Sequence, residues 1–475
     1  MATLLKPDIC VIGAGSGGLT IAAAAASFGV SVVLIEKGKM GGDCLNYGCV
    51  PSKALIAAGK AADAMRHANK FGIKAVEPEV DFKAVHDHVH AVINAIAPND
   101  SVERFTALGV KVIEAAGKFI DKNTVEAGEF HIKARRFVIA TGSSAFVPPI
   151  TGLSDVEYLT NESLFEQTKR PLKLIIIGGG PIGMEMAQAH RRLGSEVTVI
   201  EGAKALGKDD PELANVVLER LRAEGVVIYE DTKVVSVERR SKNIIRVNAL
   251  GADGTVAIEG STILVAAGRK ANVDGLGLEN AGIKFDRRGV SVGTDLRSSN
   301  RRVYAVGDVA GGLQFTHVAG YQAGLVVRAL LFRLPIKNQT RHIPWATYTD
   351  PELANVGMTE ADARKANIAF NVLRWPYAEN DRAQAERKTA GLIKVITDSK
   401  GRILGAGIAG AGAGEMINLW SLAVAKNMTV RDIAGYVPPY PTMAEIGKRA
   451  AVSFYAPQTR KPFVRKLVGW LARFG

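Results

Sequence analysis

Residues 8–36 and residues 173–201 follow one plan, and this duplication constrains the fold more than any other feature of the chain. The first copy runs Asp-Ile-Cys-Val-Ile, Gly13-Ala-Gly15-Ser-Gly-Gly18, an Ala-rich stretch, then Ser31-Val-Val-Leu-Ile-Glu36. The second runs Lys-Leu-Ile-Ile-Ile, Gly178-Gly-Gly180-Pro-Ile-Gly183, a helix-compatible stretch to Leu193, then Glu196-Val-Thr-Val-Ile-Glu201. Each reads as buried strand, glycine turn, helix, second strand and terminal acid, with the acid 23 residues after the first glycine. A βαβ dinucleotide site needs that spacing. The glycines let the backbone approach a pyrophosphate, the helix start offers free N–H groups and partial positive charge, and the acid accepts from ribose hydroxyls. Two copies predict two dinucleotides. Later apolar runs ending in glycine, Phe137–Gly142 and Ile263–Gly268, predict a strand returning beside each one.

Composition narrows the class. A chain of 475 residues exceeds a single core, and 47% hydrophobic with 23% charged residues excludes wholesale disorder. Three cysteines cannot make a secreted disulfide framework, and no run of about 18 apolar residues is present. A cytoplasmic location is therefore expected. The net charge of +13 could draw nucleic acid, anionic lipid or an acidic substrate. Outside the C-terminal tail the basic residues are not interleaved with aromatics, so no nucleic-acid role is expected.

The sharpest chemical signal is Gly41-Gly-Asp-Cys44-Leu-Asn-Tyr-Gly-Cys49-Val-Pro51-Ser-Lys53. Fully extended, two cysteines at this spacing would be about 17 Å apart. A disulfide needs a tight curl, which Gly48 permits. Pro51 suits the first turn of a helix, so Cys49 is predicted at a helix N-terminus, where a thiol's pKa falls. Two buried thiols or half a zinc site are the alternatives. Zinc would want further Cys or His at ligand spacing, and Cys10 sits inside the first strand, so a redox disulfide is favoured and no resident metal is expected.

From Asp8 to about Phe454 the sequence resembles the flavin-dependent pyridine nucleotide-disulfide oxidoreductases, which include dihydrolipoamide dehydrogenase, glutathione reductase and mercuric reductase. The Gly-Gly-x-Cys-x4-Cys-x-Pro-x-Lys signature carries the resemblance most specifically. The resemblance implies an α/β fold with two Rossmann-like domains and a C-terminal α+β dimerisation domain. Its layout would be an FAD-binding domain over 1–150 and 271–345, an NAD(P)-binding domain over 151–270, an interface domain over 346–457 and a tail over 458–475. It implies that Gly13, Gly15, Gly18 and Glu36 hold the FAD adenosine half and that Asp308 faces the ribityl-phosphate part. Gly42, Gly117, Thr141, Gly142, Phe315 and His317 would also border FAD. Lys53 would pair with Glu185 beside the flavin, Cys49 would be the thiolate over it, and Cys44 the exposed thiol that exchanges with substrate. Gly178, Gly180, Gly183, Glu201, Val234 and Gly268 would hold the nicotinamide nucleotide. Glu201 would repel a 2′-phosphate, so NAD is favoured over NADP, although Lys204 pulls the other way. Thr349 to Glu360 resembles the opening of the dimer-forming domain, implying a homodimer.

Two departures matter. Disulfide-reducing members carry His-Pro-Thr with a glutamate five residues after the histidine, acting as acid-base pair across the dimer. Here the segment reads Pro438-Pro-Tyr440-Pro-Thr-Met-Ala-Glu445. A phenol titrates near 10 and an imidazole near 6.5, so Tyr440 cannot be the cation that stabilises a departing thiolate. Mercuric reductases also have tyrosine here, which points to a metal ion or small oxidant as acceptor. A dihydrolipoamide dehydrogenase-like activity and a flavoprotein redox sensor or membrane-associated scaffold are the alternatives. No cysteine follows Cys49, so a C-terminal cysteine pair of the mercuric reductase kind is not expected. In the tail, Phe463, Leu467, Leu471 and Phe474 recur at helical spacing among Arg460, Lys461, Arg465, Lys466 and Arg473. Such a helix can lie on the inner face of an anionic membrane or dock onto its own dimer. His86, His88 and His90 read as a solvated helix or loop, because alternate residues do not share a helical face.

Overall fold

A computed structural model describes residues 2–474. The duplicated plan becomes two parallel sheets of matching order. In the first, Ile9–Ile12 lies between Val32–Glu36 and Arg136–Ile139, with Lys111–Glu114 and Val303–Ala305 at the edges. In the second, Lys173–Ile177 lies between Glu196–Ile200 and Thr262–Val265, with Val227–Tyr229 outside. Both central strands are almost wholly buried because helices cover one face of each sheet and a largely antiparallel sheet covers the other, which is why they read as unbroken apolar runs. The helices Ser16–Ser27 and Pro181–Arg192 begin directly after the glycine turns.

The return strands sit as the sequence predicts. The chain crosses between the two units through Ser143–Ala145, which pairs antiparallel with Arg269–Ala271. Beyond residue 343 a five-stranded antiparallel sheet, in the order Pro344–Thr347, Glu352–Gly357, Ile403–Gly410, Leu392–Asp398, Phe370–Pro376, packs against the helix Ala413–Ala425 around buried Trp420. No helix among the described residues is long and apolar enough to cross a membrane.

One buried cation ties the units together. Arg192 reaches Glu224 at 2.7 Å, Asp350 at 3.0 Å and Asp63 at 3.6 Å. These carboxylates hold its guanidinium charged despite burial, and removing any of them leaves a buried charge short of a partner.

Candidate active site

The two glycine turns have the same internal geometry. Gly13 and Gly178 take φ of +107° and +116°, and a Cβ on either would come within 2.4 Å of a carbonyl oxygen of the return segment, Ala140 or Ala266. Gly18 and Gly183 let helix and strand close up, since a Cβ there would lie 1.9 or 2.0 Å from the carbonyl oxygen of Gly13 or Gly178. Gly15 and Gly180 differ: a Cβ on Gly15 meets nothing nearer than Gly42 Cα at 4.0 Å, and on Gly180 nothing within 4 Å. The outer glycines therefore build the turn, and the middle one leaves room for a phosphate.

The acids also match. Glu36 accepts from the Ala14 and Gly38 N–H groups at 2.6 and 2.7 Å, and Glu201 from those of Gly179 and Ala203 at 2.6 and 2.9 Å. Both cradles open onto one cavity of ≈ 2150 Å³ that also reaches Cys44, Cys49, Lys53 and Glu185. Gly42, Gly117, Thr141, Gly142, Val234 and Gly268 border it, as do Asp308, Phe315 and His317. Gly18 and Gly183 do not; they support the turns from behind. Phe315 and His317 are stacked with ring centroids 5.3 Å apart, and His317 Nε2 lies 2.7 Å from the Pro344 carbonyl oxygen.

Cys49 is the first residue of the helix Cys49–Arg66, and Pro51 lies in its first turn. Cys44 is carried on the short helix Gly42–Asn46, which starts from Gly41 at φ +85°. Both cysteines are thiols in this structure, and Cys49 Sγ is 3.3 Å from the hydroxyl of Thr316, first residue of the helix Thr316–Phe332. The Cys49 thiol is lowered to about 6, chiefly by a hydrogen bond from Cys44, with Thr316 and Lys53 assisting against the cost of burial. Cys44 moves the other way, held protonated first by that same bond and then by burial. The pair thus shares one proton, kept on Cys44.

Both cysteines border the cavity, Cys49 from the helix start and Cys44 from the short helix before it.

Close helix packing brings Lys53 to Glu185. A Cβ on Gly59 would lie only 3.3 Å from the Ala189 carbonyl oxygen, so the two helices run in contact there. Lys53 Nζ is 2.9 Å from Glu185 Oε2 and 4.3 Å from the centroid of the Tyr348 ring, while Glu185 Oε1 accepts from the Tyr348 N–H at 2.9 Å. The thiolate gives a direct measurement. In the reduced protein, ultraviolet thiolate absorbance that is absent from Cys49→Ser should titrate with a midpoint at about pH 6. Lys53→Met should raise that midpoint, since the lysine charge favours the thiolate.

Several site residues were not legible in the sequence. Asp43, next to Cys44, accepts from Asn161 Nδ2 at 2.8 Å and lies 3.2 Å from Arg269. Arg269 also donates to the Ser143 hydroxyl at 2.7 Å, and Ser143 donates to Asp308 at 2.5 Å. Burial raises the Asp308 carboxyl, and Ser143 and Arg269 oppose that rise. The sole local hint was an arginine directly after Gly268.

Tyr440 and Glu445 are not brought to the cysteines within one chain. Tyr440 is 71% exposed and donates to Asp381 Oδ2 at 3.0 Å, and Glu445 opens the helix Glu445–Ser453; neither borders the cavity. The histidine expectation is corrected. Helix Phe82–Ile96 places His86 and His90 one turn apart with ring centroids at 4.2 Å, and only His88 faces solvent fully.

Two dinucleotide cradles meeting at a thiol pair on a helix start define a nucleotide-dependent dithiol oxidoreductase. Comparison with known proteins agrees. The family described as pyridine nucleotide-disulphide oxidoreductase matches residues 7–323, and its dimerisation domain matches residues 343–451. A mercuric reductase of Streptomyces lividans is 35% identical over 455 residues, covering 94% of this chain and 96% of the relative. A dihydrolipoyl dehydrogenase of Bacillus subtilis (strain 168) is 34% identical over 457 residues, covering 94% and 96%. The HOCl-induced flavoprotein disulfide reductase RclA from Escherichia coli superposes with a TM-score of 0.84 at 28% identity, covering 94% of this chain and 99% of that one; it is also solved as a Cu(II) complex. The chain belongs to the pyridine nucleotide-disulphide oxidoreductase family and is an NAD(P)H-dependent flavoprotein disulfide oxidoreductase with FAD as cofactor. The dimerisation-domain match supports a homodimer.

Proposed function

We propose that the chain carries electrons from NADH to the Cys44–Cys49 disulfide and on to a metal ion or small oxidant. Bound FAD supplies the two-electron transfer between nicotinamide and disulfide. The first glycine turn, with Glu36, Asp308 and the residues lining that cradle, would hold FAD; Gly178, Gly180, Glu201, Val234 and Gly268 would hold the nicotinamide nucleotide, with Gly183 packing the second turn from behind. The chain's own work is to keep the sulfurs ready. Reduction of the disulfide breaks the S–S bond and takes up two electrons and one proton, the proton going to Cys44 while Cys49 stays a thiolate. Lys53 and Thr316 stabilise that anion, and Asp43, gripped by Asn161 and Arg269, anchors the turn that carries Cys44.

NADH is favoured by the Glu201 carboxylate, fixed on two backbone N–H groups where a 2′-phosphate would come. Lys204 is a weaker counterweight than its charge suggests, because its ammonium is paired with Asp231 at 2.6 Å.

The observation that carries the acceptor is Tyr440. Reducing a disulfide substrate releases thiolates that need protons, and a phenol pushed up by its bond to Asp381 is a poor proton donor at neutral pH. A metal ion takes electrons without that demand. The names of the mercuric reductase relative and of the Cu(II) complex support this reading. An anaerobic NADH titration followed by turnover with mercuric and cupric ions, quinones, lipoamide and glutathione disulfide tests it. Metal-ion turnover is expected to exceed lipoamide turnover, and Tyr440→His to raise lipoamide turnover about 10²-fold with metal reduction flat or lower. Strong lipoamide activity in the wild type overturns the proposal, and inertness across the panel favours a sensor.

We also propose that the tail helix Pro462–Leu471 lies on anionic lipid. None of its residues is buried, and Phe463, Trp470, Leu471 and Phe474 are 74%, 53%, 53% and 72% exposed. Arg460, Lys461, Arg465, Lys466 and Arg473 accompany them with no acid between 456 and 475. Deleting residues 460–475 should abolish co-sedimentation with phosphatidylserine vesicles. Unchanged partitioning rules the contact out.

A further inference from the structure

The helix Phe82–Ile96 buries Phe82, Val89 and Ile93. Leu164 and Phe165, at the end of the short helix Asn161–Leu164 and just after it, enter the same core. That packing delivers Glu166 to the two imidazoles one turn apart on the longer helix. One nitrogen of His86, one of His90 and one carboxylate oxygen of Glu166 lie within 4.8 Å of one another. His90 Nε2 is 3.8 Å from Glu166 Oε2 and donates to the Phe165 carbonyl oxygen at 3.1 Å, a bond that a metal ion on this nitrogen would replace. His86 Nδ1 is 3.0 Å from Asp87 Oδ1, which leaves its Nε2 lone pair free. Asp87 in turn accepts from Lys83 at 2.6 and 2.7 Å.

We propose that His86, His90 and Glu166 bind a divalent transition-metal ion of the zinc, nickel or copper kind, with water completing its coordination. Two imidazoles and one carboxylate suit borderline cations, whereas calcium and magnesium want oxygen ligands throughout. Zinc bonds of about 2.1 Å place tetrahedral ligands about 3.4 Å apart. The Glu166 side chain is 55% exposed and free to swing in by the remaining distance. A carboxylate on the far nitrogen of a ligating histidine, the place Asp87 holds on His86, orients the ring and raises its basicity. None of the three ligands borders the nucleotide cavity, so this ion is separate from any metal reduced at the cysteines. It would staple two segments, one of which holds Asp43 through Asn161.

The test is a Zn²⁺ titration of the FAD-loaded enzyme carrying Cys44→Ser and Cys49→Ser, so that thiolates do not compete. One equivalent per chain is expected to bind, with affinity falling about tenfold or more in His86→Ala and in His90→Ala, and by a smaller factor in Glu166→Gln. Flavin content and circular dichroism establish that each variant is folded. His88→Ala is the control and should bind as the parent does. Absence of saturable binding in the parent, or affinity unchanged in folded His86→Ala and His90→Ala variants, overturns the proposal.

Discussion

Replacing Cys49 by serine is expected to lower acceptor-dependent NADH oxidation by about 10³-fold or more while the protein keeps its flavin. A serine hydroxyl fits the helix start but neither ionises near neutral pH nor forms a bond to Cys44. The anion that Thr316 and Lys53 stabilise is therefore lost along with the disulfide. Cys44→Ser should be nearly as severe, because the proton-holding partner disappears. The check is steady-state turnover beside an anaerobic NADH titration. NADH should still bleach the flavin of Cys49→Ser, and electrons should go no further. Wild-type turnover in that variant would remove the thiol pair from the electron path.

Gly15→Val is expected to give a folded but nearly colourless protein, with flavin affinity down about tenfold or more. Gly15 has φ −80° and ψ −177°, extended backbone open to any residue, and its Cβ direction meets only Gly42 Cα at 4.0 Å. The branched side chain would occupy the phosphate's place without straining the protein. Gly18→Val is the contrast. Its Cβ would fall 1.9 Å from the Gly13 carbonyl oxygen, so that variant should fail to fold. Flavin-to-protein absorbance and a thermal melt separate the two outcomes. Retained flavin in Gly15→Val would show that the first cradle binds something else.

These glycines and their acids were legible because the chain must satisfy backbone constraints locally. A positive φ at Gly13, contact at Gly18 and an acid at a fixed offset all fall within one supersecondary unit. The same holds for Cys49 with Pro51, whose helix start is written in neighbouring residues. Contacts across long sequence separations were not legible. Nothing near Asp43 announces Arg269, and nothing near Ser143 announces Asp308. Tyr440 was visible as a departure, but its bond to Asp381 was not, since that contact depends on how a loop lies over another helix. His86 and His90 alternate with His88 along the chain, and only the helical turn sorts the first and third onto one side. Lys204 stood out as a positive charge near the second nucleotide; its pairing with Asp231 comes from the turn after the strand Val227–Tyr229.

The proton shared between Cys44 and Cys49 has an electrochemical consequence. Two electrons accompanied by a single proton make a couple whose midpoint potential falls by about 30 mV per pH unit, half the slope of an ordinary dithiol. Once the medium is acidic enough to protonate Cys49 as well, the slope doubles. Across the neutral range the enzyme's driving force toward its acceptor is thereby buffered against swings in acidity.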